Sequence, residues 1–340
     1  MPKLSVLIPV YNGEKYIKRC LENLLNQNIP KSDYEILIIN DGSKDNSASI
    51  LQYYASKHSN ILFFNEENRG SDISRNKLIE KATGDYIYFL DIDDYVIPNS
   101  LSTILELAIS YNLDICGFQS KTIDQNIKSE NVDVELNQLR SINSLNVTTG
   151  EEFILSNHFI QTIWWFFIKK DFIDKYNIKF VESNGQSSYD SVYATKSLVL
   201  ADRFAYVKVP IHRYLLSDNS VMRASNLEDQ TKLYNNLVAA VIEFNSLISE
   251  LNSIKTLDPS MNNYLIDLRG KMTRDIINRM LKSKISNSFF KEKLRVLKVE
   301  KLYPIDILPA NYSLKSKIYL SFEKNMKLLF LTKRIYSLRS

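Results

Sequence analysis

Gly84-Asp85-Tyr86-Ile87-Tyr88-Phe89-Leu90-Asp91-Ile92-Asp93-Asp94 is the stretch that decides how this chain folds. Residues 86–90 form an unbroken apolar and aromatic run without alternation, which predicts a strand covered on both faces. The run stops at three carboxylates within four positions. Strands covered on both faces belong to parallel sheets, and such sheets bind ligands outside the carboxyl ends of their strands. Read outward, the pattern repeats. Residues 4–10 predict a strand ended by a turn at Asn12-Gly13. Residues 34–40 predict a second, followed by Asp41-Gly42-Ser43, and 61–65 and 113–119 two more. Helical spacing occupies 15–27, 71–82 and 99–111. Strand and helix alternating this way imply right-handed crossovers and a mostly parallel α/β sheet flanked by helices.

Residues 120–149 are rich in Asn, Ser, Gln and Asp and predict a long loop or irregular insertion. Helical patterns return at 151–157, 170–177 and 190–201, with a strand at 204–209. Beyond residue 226 the chain reads as helix only: 229–251, 263–282 and 288–297. The expected organisation is an α/β domain over 1–225 and a helical C-terminal region over 226–340. The formal net charge is +4, yet residues 313–340 alone carry +6, so the basic character belongs to the tail. No chain-wide basic stripe points to nucleic acid. Cys20 and Cys116 fall in apolar patterns and read as small buried hydrophobes, not a disulfide framework. The N-terminus has no signal-peptide pattern, and no run of 18 apolar residues suggests a spanning helix. A cytoplasmic protein is the default expectation.

Three polar clusters fall at strand ends: residues 9–14, 41–43 and 91–94. An Asp at a strand end can accept hydrogen bonds from a base N–H or a ribose hydroxyl, or can cap the helix that follows. The third cluster differs in kind. Its carboxylates repel one another unless a cation neutralises them, and Mg²⁺ or Mn²⁺ combines carboxylate ligands with phosphate oxygens. Between the clusters lies Asn68-Arg69-Gly70-Ser71-Asp72-Ile73-Ser74-Arg75-Asn76, a basic loop entering a helix, where Arg75 and the helix start favour anions.

Four segments carry a resemblance. They are Leu4-Ser-Val-Leu-Ile-Pro-Val-Tyr-Asn-Gly-Glu, then Glu35-Ile-Leu-Ile-Ile-Asn-Asp-Gly-Ser-Lys-Asp-Asn-Ser, then Asn68-Arg-Gly with Ser74-Arg-Asn, and Gly84-Asp-Tyr-Ile-Tyr-Phe-Leu-Asp-Ile-Asp-Asp. In order and spacing they resemble the family 2 glycosyltransferases of the GT-A (Rossmann-like) fold. The likeness covers roughly the first 110 residues and continues more weakly to about 225. It implies a nucleotide-binding half over 1–120 and an acceptor half over 150–225. It implies that Pro9, Tyr11 and Glu14 line the base and ribose pocket and that Asp41 contacts the base, most often uracil. Arg75 would lie near the diphosphate, Asp91 would touch ribose or metal, and Asp93 would be the main ligand of Mn²⁺ or Mg²⁺. It implies inversion: a base takes the acceptor hydroxyl's proton, and the oxygen displaces the nucleoside diphosphate in one step.

That base is usually the Asp of a paired acid opening a helix. Here Gln186-Ser-Ser-Tyr-Asp places Asp190 at the position and Tyr189 where the neighbouring acid stands, on the acceptor side. His212-Arg213-Tyr214 resembles the family's segment that closes over the diphosphate. Of Trp164 and Trp165, one is expected in the core and the other beside the acceptor. The implied partners are a UDP-sugar donor and a glycan or lipid-linked glycan acceptor. The basic amphipathic pattern of 313–340 would suit either an anionic membrane face or docking on the catalytic domain. Two competitors are a family member that binds nucleotide or glycan without turnover, prompted by Tyr189, and a sugar-nucleotidyltransferase. The second needs a Gly-rich basic loop after the first strand, where Tyr11-Asn12-Gly13-Glu14 stands instead.

Overall fold

The computed structural model describes residues 2–124, 130–157, 161–182, 190–216 and 226–304. Strands β1 (Leu4–Val10) and β2 (Tyr34–Asp41) are almost wholly buried along their lengths, as their unalternating apolar runs require. They pair in parallel, Leu4 opposite Tyr34 and Val10 opposite Asn40. β3 (Ile61–Glu66) adds to β2 and β4 (Tyr86–Phe89) to the other side of β1, both parallel. Helices α1 (Glu14–Leu25), α2 (Ser47–Lys57) and α3 (Ser71–Lys81) make the crossovers. The apolar stripe of α1, namely Ile17, Cys20, Leu21 and Leu24, enters the core beneath β1.

The other half departs from pure parallel pairing. The remaining strands are β5 (Tyr95–Val96), β6 (Ile115–Asp124), β7 (Phe166–Lys169) and β8 (Phe204–Leu216). The eight strands run β3-β2-β1-β4-β7-β6-β8-β5. β7 is antiparallel to both β4 and β6, and β5 is antiparallel to β8. The mostly parallel α/β sheet expected from the alternation is therefore present, with an antiparallel aromatic strand inserted at its centre.

Three boundaries differ from expectation. β6 continues to Asp124, and helix α5 (Asp133–Arg140) lies inside the stretch read as a loop. β8 continues past residue 209 through His212 and Arg213, because those polar side chains find buried partners and do not have to end the strand. The remaining helices of this half are α4 (Leu101–Ser110), α6 (Gly150–Ser156), α7 (Lys170–Lys175) and α8 (Asp190–Leu200). Thr149 and Glu152 form a capping box at the start of α6. Cys20 and Cys116 are buried free thiols.

The chain divides into two compact units, Met1–Asp218 and Asn219–Ser340. Within the second, α9 (Leu227–Ile254), α10 (Pro259–Lys282) and α11 (Asn287–Val299) enclose their own core, with Tyr234, Val238 and Val241 against Ile276, Ile277, Met280, Phe290 and Leu294. α9 is long and apolar enough to cross a membrane by length and composition, with 39% of its most apolar window buried in the protein. Residues 313–340, read as a basic amphipathic helix, lie outside the described residues.

A polar knot closes the amino ends of β1, β2 and β4. Ser5 donates to Glu35 (2.6 Å), Thr83 donates to Glu35 from its N–H (2.8 Å) and its hydroxyl (2.9 Å), and Gly84 N–H donates to Ser5 (2.9 Å). A Cβ on Gly84 would stand 2.7 Å from the Leu4 carbonyl carbon and the Ser5 nitrogen. That overlap is with backbone, which cannot swing away. Gly84→Ala is expected to lower unfolding free energy by about 1–3 kcal/mol in urea titration. An unchanged midpoint would show that β4 does not need this approach.

Candidate active site

Loops after β1 and β2 are tied to each other before any ligand arrives. Asn12 N–H donates to Ser43 (2.9 Å), Gly13 N–H to Ser47 (2.9 Å) and Glu14 N–H to Asp45 (3.1 Å). In return Asn46 donates to Glu14 from its N–H and its side chain, both at 3.0 Å. Glu14 thus holds the second loop. Tyr11 stands 49% exposed just after the end of β1. Gly42 adopts φ +68°, and a Cβ there would lie 2.6 Å from Asn68 N, so only glycine lets the 68–70 loop approach. Asp41 is buried, and its two carboxylate oxygens accept from Arg69 N–H (2.8 Å) and Gly70 N–H (2.9 Å). It organises the loop that enters α3, and each oxygen keeps a second acceptor direction.

The acidic turn is one site in sequence and two in space. Asp94 N–H donates to the Asp91 carbonyl (3.0 Å), which bends the chain and sends the side chains apart. Asp94 points inward: Oδ1 accepts from Leu215 N–H (2.8 Å), and Oδ2 lies 3.3 Å from His212 Nε2. It joins the turn to β8 and is withdrawn from the cleft, so the three neighbouring carboxylates of the sequence part in space. Asp91 and Asp93 remain on the cleft side, and Arg19 grips the Asp93 carbonyl (2.6 Å). Burial, with Asp91 and Asp94 close by, pushes the Asp93 carboxyl up to about 7. Burial pushes Asp94 up to about 8 and His212 down to about 3, so each favours its neutral form.

Arg75 is the centre of the cleft. Its buried guanidinium donates to Asp91 from Nη2 (3.0 Å) and to Asp190 from Nη1 (3.1 Å), and Asp72 lies 3.9 Å from Nη1. Burial opposes its charge, but Asp190, Asp91 and Asp72 more than offset that, and the group is held above its ordinary pKa. Asp190 begins α8 and keeps 28% of its side chain open to solvent. Burial raises its pKa, Arg75 pulls it back, and Asp91 raises it. One cation therefore faces three carboxylates, with Asp93 a fourth beside them. Among the described residues no group of three His, Cys, Asp or Glu converges as a closed metal cage. One or two carboxylates with surplus negative charge is the set from which Mg²⁺ or Mn²⁺ binds together with phosphate oxygens.

Several expected contacts fall elsewhere. Arg213 is fully buried, donating to Glu130 (2.6 Å), Glu135 (2.9 Å) and the Pro210 carbonyl. It clamps α5 to β8 and does not face the cleft. His212, also fully buried, stacks on Trp164 (4.5 Å, 10°) with Nδ1 2.9 Å from the Ser120 hydroxyl. It supports Asp94 from behind and is not presented to a diphosphate. Trp165 belongs to the core, with Phe153, Phe204 and Tyr206 around it and Gly117 giving it room. Trp164 stacks on His212 and on Tyr214 (5.6 Å, 19°) behind the acidic turn. Tyr189 lies outside the described residues, as do residues 217–220 of the segment expected to close over the diphosphate. Asn76 stands in the sequence only as the end of the Ser74-Arg-Asn segment, and Phe180 and Tyr193 carry no assigned role there, although the three lie together beside Arg75. Only the adjacency of Asn76 to Arg75 hinted at a role.

The family model described as glycosyl transferase family 2 matches residues 5–176. The uncharacterized glycosyltransferase YibD of Escherichia coli (strain K12) is 32% identical over 254 residues, spanning 74% of this chain and 71% of that one. Among solved structures, S. aureus TarS 1–349 in complex with UDP-GlcNAc superposes with a TM-score of 0.71 at 18% identity, over 99% of this chain and 90% of that one. The mannosyltransferase PcManGT from Pyrobaculum calidifontis, in complex with GDP-Man and Mn²⁺, superposes with a TM-score of 0.55 at 13% identity, over 99% and 87%. At those identities the two structures speak for a shared fold.

The raised carboxyls make stability fall with pH. Above about pH 6.5 an unfolded His is neutral like His212, so it drops out of the balance. The unfolded carboxyls have already lost their protons there, while folded Asp93 and Asp94 still hold theirs up to about 7 and about 8. Raising pH through that window removes protons from the folded state only. The urea midpoint of the ligand-free protein is expected to decline between about pH 6.5 and 8, and less steeply in Asp93→Asn. A midpoint that climbs across the window contradicts this.

Proposed function

The chain belongs to the family 2 glycosyltransferases, and from that premise we propose that it moves a sugar from a UDP-linked donor to a hydroxyl of a glycan or lipid-linked glycan, with inversion and with a divalent cation. The observation that carries this reading is the double grip of Arg75, 3.0 Å from Asp91 and 3.1 Å from Asp190. It sets a carboxylate at the acceptor side within one guanidinium's width of the acidic turn.

Asp190 is the base. It accepts the proton of the acceptor hydroxyl, whose oxygen forms the new bond to the anomeric carbon as the bond to the diphosphate oxygen breaks. Its raised pKa improves it as a proton acceptor, and its partial exposure lets a substrate hydroxyl reach it. Arg75 holds the carboxylate in one orientation, which keeps the reacting groups aligned. Asp41, Tyr11, Pro9 and Glu14 form the base and ribose pocket, Asp41 through its remaining acceptor directions and Tyr11 through its exposed ring. Asp93, with Asp91, would hold Mn²⁺ or Mg²⁺, which supplies charge neutralisation for the departing diphosphate. The donors in the solved structures, UDP-GlcNAc in TarS and GDP-Man in PcManGT, support a nucleotide-sugar as the donor class. The α/β domain over 1–225 carries the reaction in this reading. The helical region and the basic residues 313–340 bring it to an anionic membrane face on the cytoplasmic side, where a lipid-linked acceptor would lie.

Transfer and donor-hydrolysis assays with a panel of nucleotide sugars, with Mn²⁺ or Mg²⁺, test this. Asp190→Asn is expected to lower kcat by roughly 10²–10⁴-fold while UDP binding persists. Asp93→Ala is expected to abolish metal-dependent UDP binding in calorimetry. Wild-type transfer by Asp190→Asn would remove the base assignment, and unchanged metal-dependent binding by Asp93→Ala would remove the metal assignment. A wild type that binds UDP but turns over no donor would replace this reading by the binding-only one.

A further inference from the structure

Asn76 follows Arg75 on α3 and is buried. Its carboxamide makes a reciprocal pair with one residue 104 positions away: Nδ2 donates to the Phe180 carbonyl (2.9 Å), and Phe180 N–H donates to Oδ1 (2.8 Å). This imitates a rung of a β-ladder and fixes both the position and the direction of the Phe180 backbone. The Phe180 ring then does two things. It lies beside the Arg75 guanidinium (5.5 Å) and stacks flat on Tyr193 (4.1 Å, 7°), one turn into the helix that Asp190 begins. Phe89, the last residue of β4, meets both rings edge-on at 5.4 and 5.5 Å.

We propose that Asn76 is a positioning residue for the transfer reaction, acting through Phe180 to hold Arg75 and the Asp190 helix in register. This rests on the reading of Asp190 as the base and goes beyond it. Arg75 can bridge Asp91 and Asp190 only if its guanidinium is kept in one plane and α8 is kept at one height. Phe180 contacts the guanidinium and α8 together, and Asn76 is the group that sets Phe180. Because Arg75 and Asn76 are neighbours on one helix, α3 grips both the charged and the aromatic side of the same junction. The buried main-chain N–H and C=O of Phe180 each lose this partner when the carboxamide is removed, so the segment would shift to find others.

The test compares Asn76→Ala, Phe180→Leu and the double variant in the full chain. Phe180→Leu keeps the backbone pair and removes only the ring, so it reports on the ring if Asn76→Ala folds poorly. The transfer rate is expected to fall about 10–100-fold in each single variant, with the UDP dissociation constant within about twofold of wild type. The double variant should fall no further than the weaker single, because both act along one chain of contacts. Crystal structures of the two single variants should show Arg75 and Asp190 no longer within hydrogen-bond distance. Additive losses, a loss of UDP affinity in step with rate, or variants that keep the 3.1 Å contact and the wild-type rate would overturn the proposal. Should the wild type turn over no donor, the base reading fails on its own, and the Arg75–Asp190 separation in the variant crystals decides the positioning of the pair.

Discussion

A single buried guanidinium holds this site together. Arg75 is surrounded by Asp72, Asp91 and Asp190, which come from α3 itself, from the end of β4 and from the start of α8. Removing a cation from water is tolerated only with well-placed opposite charge, and removing one partner of such a set is far more damaging than never having built it. The three carboxylates therefore cannot drift independently. Whatever fixes Arg75 fixes the distance between the acidic turn and the helix bearing Asp190, although the two lie about a hundred residues apart in the chain.

The same cluster carries more negative charge than Arg75 can balance. The structure relieves part of the surplus by turning Asp94 inward, against Leu215 and His212. Arg19 holds the turn only through the Asp93 carbonyl and leaves that carboxyl free for the cleft. What remains is a strained electrostatic balance in which Asp93 retains its proton up to about 7. In the proposed reading a hard divalent cation bound with a diphosphate would resolve that balance, with Asp93 and Asp91 as its protein ligands. The layers behind the turn, with Trp164 stacked on His212, serve this arrangement by fixing β8 without entering the cleft.

Much of this was legible in the chain itself. Strands β1 to β4 and the crossovers α1 and α3 follow from local apolar runs and helical spacing, which need no distant information, whereas α2 shows no such span in the sequence. Tyr11, Asp41, Arg75, Asp91 and Asp93 stand out in the sequence because they sit at strand ends or just inside a helix, whereas Asp190 was singled out through the family resemblance alone. Orientation was not legible. Asp91, Asp93 and Asp94 look alike in a row, and only the turn bond from Asp94 to Asp91 separates them. His212 and Arg213 were read as donor contacts through the family resemblance, and nothing in the chain pointed to their actual partners, Ser120, Glu130 and Glu135, which lie in a stretch whose polarity reads as loop. Pairings such as Asn76 with Phe180 leave no periodic trace, since a single amide and a single backbone position carry them.

One planar, forked cation holds Asp190, the proposed base, and the acidic turn in mutual register. Arg75→Lys tests it most directly, because lysine keeps the charge but cannot place two parallel donors on two carboxylates. Transfer rate under saturating donor and metal is the quantity to measure. A fall of about 100-fold is expected, the scale seen when reacting groups are misplaced by about 1 Å. A lysine variant that transfers sugar at the wild-type rate would contradict it, and would leave Arg75 as a point charge and nothing more.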